Sequence, residues 1–146
     1  MLAGSDFARS HEESCLFHII GAKDAFLQEI NAAYKLGLDL HEVRERTLEE
    51  SLKAIGQTSP ALNEIQKLLK DDASWLAIAR ELRDHGTHRA NIPHSFILST
   101  REGPKPPHFR NPKDGTEITQ NIPDFLASSI AQMRELITRL RATLPP

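Results

Sequence analysis

Cys15 is the only cysteine in the chain. That leaves no intrachain disulfide and too few thiols for a cysteine-based zinc site, and it fits a reducing compartment. Long apolar runs are also missing. The longest, CLFHII from Cys15 to Ile20, is interrupted by His18 and falls far short of the roughly 20 residues that cross a bilayer. The opening MLAGSDFARSHEES lacks the charged-then-apolar layout of a secretion signal. Neither export nor membrane insertion is expected, and the cytoplasm is the expected location. An excess of charge of one sign is absent too. A formal net charge of -2 argues against a protein that coats nucleic acid electrostatically, while leaving room for a local basic site. The chain shows no internal repeat and no low-complexity tract.

What is present is an ordinary globular composition, 39% apolar and 26% charged over 146 residues, enough for one domain with a real core and too little for two. Residues 1–146 therefore read as a single unit. Ser10 and Glu13 make a capping-box pattern before Leu16, Ile19, Ile20, Leu27, Ile30 and Tyr34, which recur at helical spacing up to a stop at Gly37. Asp39 and Glu42 repeat the capping logic ahead of Leu40, Val43, Leu48, Leu52 and Ile55, with Gly56 as the stop. Ser59 and Pro60 open a third helix through Leu62, Ile65, Leu69, Trp75, Ile78, Ala79 and Leu82, which either breaks at Lys70-Asp71-Asp72 or runs through. A last helix from Pro123 aligns Phe125, Leu126, Ile130, Met133, Ile137 and Leu140. Between the last two lies the proline-rich segment 93–121. Ser95 to Thr100 and the stretch after NPKDG have strand character, so a loop or small β-hairpin is expected there. The expected class is all-α, an up-and-down four-helix bundle with this insertion before its last helix.

The densest chemistry sits in RELRDHGTHR, Arg80 to Arg89. On a helix, Arg80, Asp84 and His88 fall along one side at four-residue steps, with Arg83 and His85 beside them and Leu82, Ala79 and Trp75 turned elsewhere. Such a row suits phosphodiester chemistry. A guanidinium holds phosphate bidentately and offsets charge growing on its oxygens, while imidazole exchanges protons near neutrality. With RNA the 2′-hydroxyl supplies the nucleophile, so no metal is required. A neighbouring carboxylate can fix the histidine tautomer or the arginine rotamer.

The segment RDHGTH, Arg83 to His88, resembles the R-x4-6-H signature of the HEPN superfamily, in which a polar residue usually follows the arginine. Arg80 and His85 supply an overlapping match. The resemblance implies a compact helical domain that dimerises so that two signatures face each other. In that family many members are metal-independent endoribonucleases of toxin, antiphage or RNA-processing systems, and others are non-catalytic binding or antitoxin-associated modules. Carried over by position, Arg83 is the signature arginine, Asp84 the polar residue after it and His88 the signature histidine. Arg80, His85, Arg89 and His94 are the neighbours placed to bind substrate. A homodimer, RNA, and an antitoxin or nucleotidyltransferase-like partner are the implied associates, with no cofactor.

Other assignments compete for the same residues. Arg80, Arg83 and Arg89 would also serve as cations capping a helix C-terminus. A metal site built from His85, His88, His94 and His108 lacks the glutamate of a familiar zinc-protease or di-iron pattern, so no metal is expected. The loop TREGPKPPHFRNPK, with Arg101, Lys105, His108, Arg110 and Lys113 around Phe109, would hold phosphate while the phenyl ring stacks on a base, or would simply be a solvated loop. His11, His18 and His41 read as surface or core-edge residues, Cys15 as a small packed hydrophobe, and Glu42 to Glu50 as a solvated helix face.

Overall fold

The computed structural model describes residues 2–88, 94–95 and 107–146, with side chains over 9–86 and 107–146. The described chain is mostly helical, with five α-helices and a small antiparallel sheet: α1 (Leu2–Ala33), α2 (Glu45–Ala54), α3 (Pro60–Lys70), α4 (Trp75–His88), β1 (His94–Ser95), β2 (His108–Arg110), β3 (Glu117–Asn121) and α5 (Ile122–Arg141). At 32 residues, α1 is about 48 Å long at 1.5 Å per residue, and it touches each of the other four helices. The core gathers along it, with Leu16, Ile20, Leu27 and Ile30 almost fully enclosed against Leu48, Leu62, Ile65, Leu76, Leu82 and Leu140.

Several helix ends follow the expected chemistry. The Ser59 hydroxyl accepts the Leu62 amide at 3.2 Å and Pro60 is the first residue of α3. Gly56, at φ +67°, closes α2: its amide reaches the Lys53 carbonyl at 3.1 Å and the Gln57 amide reaches Leu52 at 2.9 Å, the paired bonds of a Schellman ending. Asn121 caps α5 by accepting the Asp124 amide at 2.9 Å.

Other ends correct the sequence reading. Helix α1 starts at Leu2, so Ser10 and Glu13 lie within it, and the Glu13 carboxylate pairs with Arg9 at 3.0 Å instead of capping. That helix ends at Ala33, short of Gly37: Lys35 takes φ +54° while the Leu36 amide closes onto the Asn31 carbonyl at 3.0 Å. Asn31 then pins the link that follows, donating to the Leu38 carbonyl at 3.0 Å and accepting the Leu38 amide at 3.1 Å. The box at Asp39 and Glu42 starts only a three-residue 3-10 turn, Leu40–Glu42. Helix α2 begins afresh where the Thr47 hydroxyl accepts the Arg44 amide at 3.0 Å. Leu40 and Ile55, assigned to the core stripe, are 78% and 54% exposed for that reason: both stand outside the helix proper.

Of the two forms left open for the third helix, the one broken at Lys70-Asp71-Asp72 is found, which makes five helices where four were expected. Asp71 leaves helical geometry at ψ 100° and its carboxylate accepts the Ala73 amide at 3.0 Å. Ser74 then restarts the chain as the cap of α4, accepting the Ala77 amide at 3.1 Å while donating to the Leu68 carbonyl at 2.5 Å. One hydroxyl thus begins α4 and fastens it to the end of α3.

The sheet has strand order β1-β2-β3, all antiparallel, pairing His94 with Phe109 and Arg110 with Glu117. The strand expected after NPKDG is β3. The turn before it is closed by the Asn111 amide on the Thr116 carbonyl at 2.8 Å and by Gly115 at φ +74°. Strand β2 was not expected. Of the strand proposed at Ser95 to Thr100, Ser95 ends β1 and residues 96–100 lie outside the described residues.

Candidate functional site at the end of helix 4

Helix α4 turns Leu76, Ala79 and Leu82 into the core, which leaves its polar residues toward the outer edge. Arg83 is less than a third exposed, and its Nε, shut off from solvent, lies 2.8 Å from Asp84 Oδ1. Asp84 is the more open of the two, at 43%. His85 and Gly86 follow, both half-buried. His88 is the last residue of α4, and its side chain lies outside the described ones, as do those of Arg89 and His94. The backbone of His94 pairs with Phe109 in the sheet.

Arg80 looks a different way. Its Nη2 donates to the Leu69 carbonyl at 3.4 Å and to Glu81 at 3.4 Å. Leu69 is in the last turn of α3, so the guanidinium binds one of the carbonyls that a helix C-terminus leaves open. This is the capping role weighed for the arginines, carried out on the neighbouring helix.

Behind Arg80 lies a group that sequence reasoning missed. Lys23, on α1, is only 6% exposed and brings its ammonium to Glu45 at the start of α2, with Asp24 also 2.9 Å away. Burial pushes the Glu45 carboxyl up, but the hydrogen bond and charge of Lys23, its own backbone amide and the charge of Arg80 together hold it below the usual glutamate range. The signal was available: Leu16, Ile20, Lys23, Leu27 and Ile30 step by four, three, four and three along one stripe, and a lysine in that series must bury its stem. Glu45, assigned to a solvated face, is the partner that makes this possible.

Phe109 does not offer a face for base stacking. Phe109 is fully buried and packs edge-to-face on Phe125, with ring centroids 5.8 Å apart. Alternation in β2 points it inward. His108 donates Nδ1–H to the Ile118 carbonyl at 2.8 Å, Arg110 donates to the Gly115 carbonyl at 3.0 Å, and Lys113 pairs with Asp72 at 2.6 Å. These three bind their own hairpin or the α3–α4 link. Arg101 and Lys105 lie outside the described residues. His11, His18 and His41 are exposed, and Cys15 is half-buried against the core as expected. Its thiol is pushed up by burial and by the nearby Glu12 charge, which keeps it a weak nucleophile.

Among the described residues, one trio brings metal-ligating atoms within 4.8 Å of one another: Asp39, His41 and Glu42, all exposed. Glu42 already accepts the Asp39 amide at 3.2 Å. Three of the surface grooves lined by described residues do not include Arg80, Arg83, Asp84 or His85. No described helix is long and apolar enough to cross a membrane. Comparison of the chain with family models, with curated proteins and with solved structures finds no match.

Proposed function

We propose that this chain is a HEPN-like helical domain that acts on RNA at the end of α4, as a metal-independent endoribonuclease of toxin or defence type whose site is completed by a second copy. The observation that supports this reading is the Arg83–Asp84 ion pair on the partly open edge of α4, in the last turns before His88. A carboxylate beside a guanidinium restricts its rotamers, which lowers the cost of orienting it on a phosphate.

The reaction follows from the groups. The ribose 2′-oxygen bonds to the adjacent phosphorus as the bond from phosphorus to the 5′-oxygen breaks. His88 takes the 2′ proton, and the imidazolium of the facing copy gives one to the departing 5′-oxygen. The products are a 2′,3′-cyclic phosphate and a 5′-hydroxyl. Arg83 offsets the charge that builds on the phosphoryl oxygens, and Asp84 positions Arg83.

Incubation of purified protein with mixed RNA in EDTA tests the proposal. Cleavage leaving cyclic-phosphate ends, lost in His88→Ala and in Arg83→Ala, is the expected result. Equal RNA survival with wild type and His88→Ala removes the enzymatic reading, and a monomeric mass at micromolar concentration removes the shared site.

A second reading keeps the fold and drops the cleavage: a regulatory module that binds a nucleotide, an antitoxin or a nucleotidyltransferase-like partner. It is favoured by the charge already offset around the row, since Arg80 binds the end of α3 and Arg83 lies against Asp84. RNA retained on the protein without new ends, and released by Arg83→Ala, would select it.

A further inference from the structure

Arg80 uses only one of its nitrogens on the protein. Nη2 donates to the Leu69 carbonyl and to Glu81, each at 3.4 Å, while Nε and Nη1 have no hydrogen-bond partner among the described residues. No nitrogen of Arg80 is among the described side-chain atoms that are buried without a partner, so those remaining donors are open to solvent.

The guanidinium is held in place without being neutralised by one carboxylate. Glu45, close enough for the Arg80 charge to act on it, is bound by Lys23. Glu81 has a second cation in Lys113, at 4.0 Å. What fixes Arg80 is the end of α3, through the Leu69 carbonyl. A side chain of such length has much rotamer freedom to lose, and an anchor on one nitrogen takes part of that loss in advance.

Arg83 follows three residues later, on the same face of α4, with about 5 to 6 Å between the Cβ atoms. Arg80 is drawn back toward α3 and Arg83 is held against Asp84 at 2.8 Å. Two cations with separate anchors suit two phosphates in succession better than a clamp on one. A nucleic-acid strand offers such a succession, one phosphate per nucleotide, and protein contacts to neighbouring phosphates set the register of the strand.

We infer that Arg80 takes the phosphate next to the scissile one, so that the substrate is an RNA strand with at least two linkages across the α4 row. The inference rests on the RNA reading of that row. The full-length protein is titrated into a fluorescein-labelled 2′-O-methyl trinucleoside diphosphate, which cannot be cleaved, and binding is read by polarisation. Two further probes carry a neutral methylphosphonate at the first or the second linkage. Wild type should lose about tenfold in affinity with either one. Arg80→Gln keeps a donor for the Leu69 carbonyl and removes the charge. It should be indifferent to the methylphosphonate at one linkage, and Arg83→Ala indifferent at the other, a pairing that a merely structural loss would not produce. An Arg80→Gln protein as sensitive as wild type at both linkages, or two variants indifferent at the same linkage, overturns the inference. If Arg80→Gln does not fold, wild type decides: undiminished affinity for either methylphosphonate probe overturns it, and losses with both uphold it. A wild type that binds none of the probes removes the RNA reading as well, whereas failure at Arg80 with Arg83→Ala still coupled to a linkage leaves that reading standing.

Discussion

Lys23 and Glu45 meet in the interior between α1 and α2, the lysine 7% exposed along its side chain and the glutamate 24%. Neither charge is affordable alone there. Isolated buried charge costs several kcal/mol, whereas a matched pair roughly breaks even with an apolar filling. Glu45→Gln should therefore destabilise the fold by about 2 to 3 kcal/mol, because Lys23 keeps only Asp24 beside it. Lys23→Met leaves Glu45 without its partner, but Glu45 is the more exposed of the two and methionine fills similar volume, so it should cost less. The combination Lys23→Met, Glu45→Gln should lie nearer wild type than Glu45→Gln alone, which urea midpoints of the four proteins will show.

Acid should weaken the fold through its carboxylates. Arg139 grips Glu64 of α3, and Arg141 grips Glu29 of α1, each through two nitrogens. The hydrogen bond from each arginine is the largest influence on its glutamate and holds it below the ordinary range. Carboxyls depressed on folding stabilise above their unfolded pKa and lose that contribution as pH falls through the folded value. Stability should accordingly drop from about pH 4.5 downward. Arg139→Met and Arg141→Met together should flatten that slope, with the melting temperature measured between pH 3 and pH 7.

Ser74→Ala tests the junction that splits the third helix. The hydroxyl both caps α4 and bonds the end of α3, so its loss should cost about 1 to 2 kcal/mol. Ser74→Asp restores an acceptor but not the bond to the Leu68 carbonyl, and should recover only part of that. Chemical unfolding of the three proteins gives the ranking.

Lys35→Gly should raise stability. Lys35 is exposed and holds φ +54° at the end of α1, a conformation that costs a residue with a Cβ about 1 kcal/mol relative to glycine. A gain of up to about that size is expected in the thermal midpoint, and no gain would mean that the lysine stem makes contacts of equal worth.

The parts of this fold that could be read in the sequence are those fixed by near neighbours. Ser59-Pro60, Gly56 and the stripes ending at Leu82 and Leu140 need only a turn or two of helix to make sense, and the structure bears them out. Ser10 and Glu13 show the limit. A capping box works only if the residue before it is non-helical, and nothing local to Ser10 reveals that α1 already began at Leu2. Strand β2 is three residues long with one inward side chain, Phe109, too short for alternation to register, and its pairing depends on residues far along the chain. Of the candidate row, the adjacency of Arg83 and Asp84 was legible from spacing. The turning of Arg80 to Leu69 was not, because it exists only once the helix breaks at Asp71.

The place of α1 at the contact of every other helix bears on how the molecule comes apart. A helix that borders all its neighbours leaves no sub-bundle able to open while the rest stays sealed, since each departing helix strips part of α1. Amide protons along Leu16 to Ile30 should therefore exchange by complete unfolding alone, at a common free energy, while the exposed ends of the chain exchange through local fraying. The same helix that assembles the core also makes its loss all-or-none.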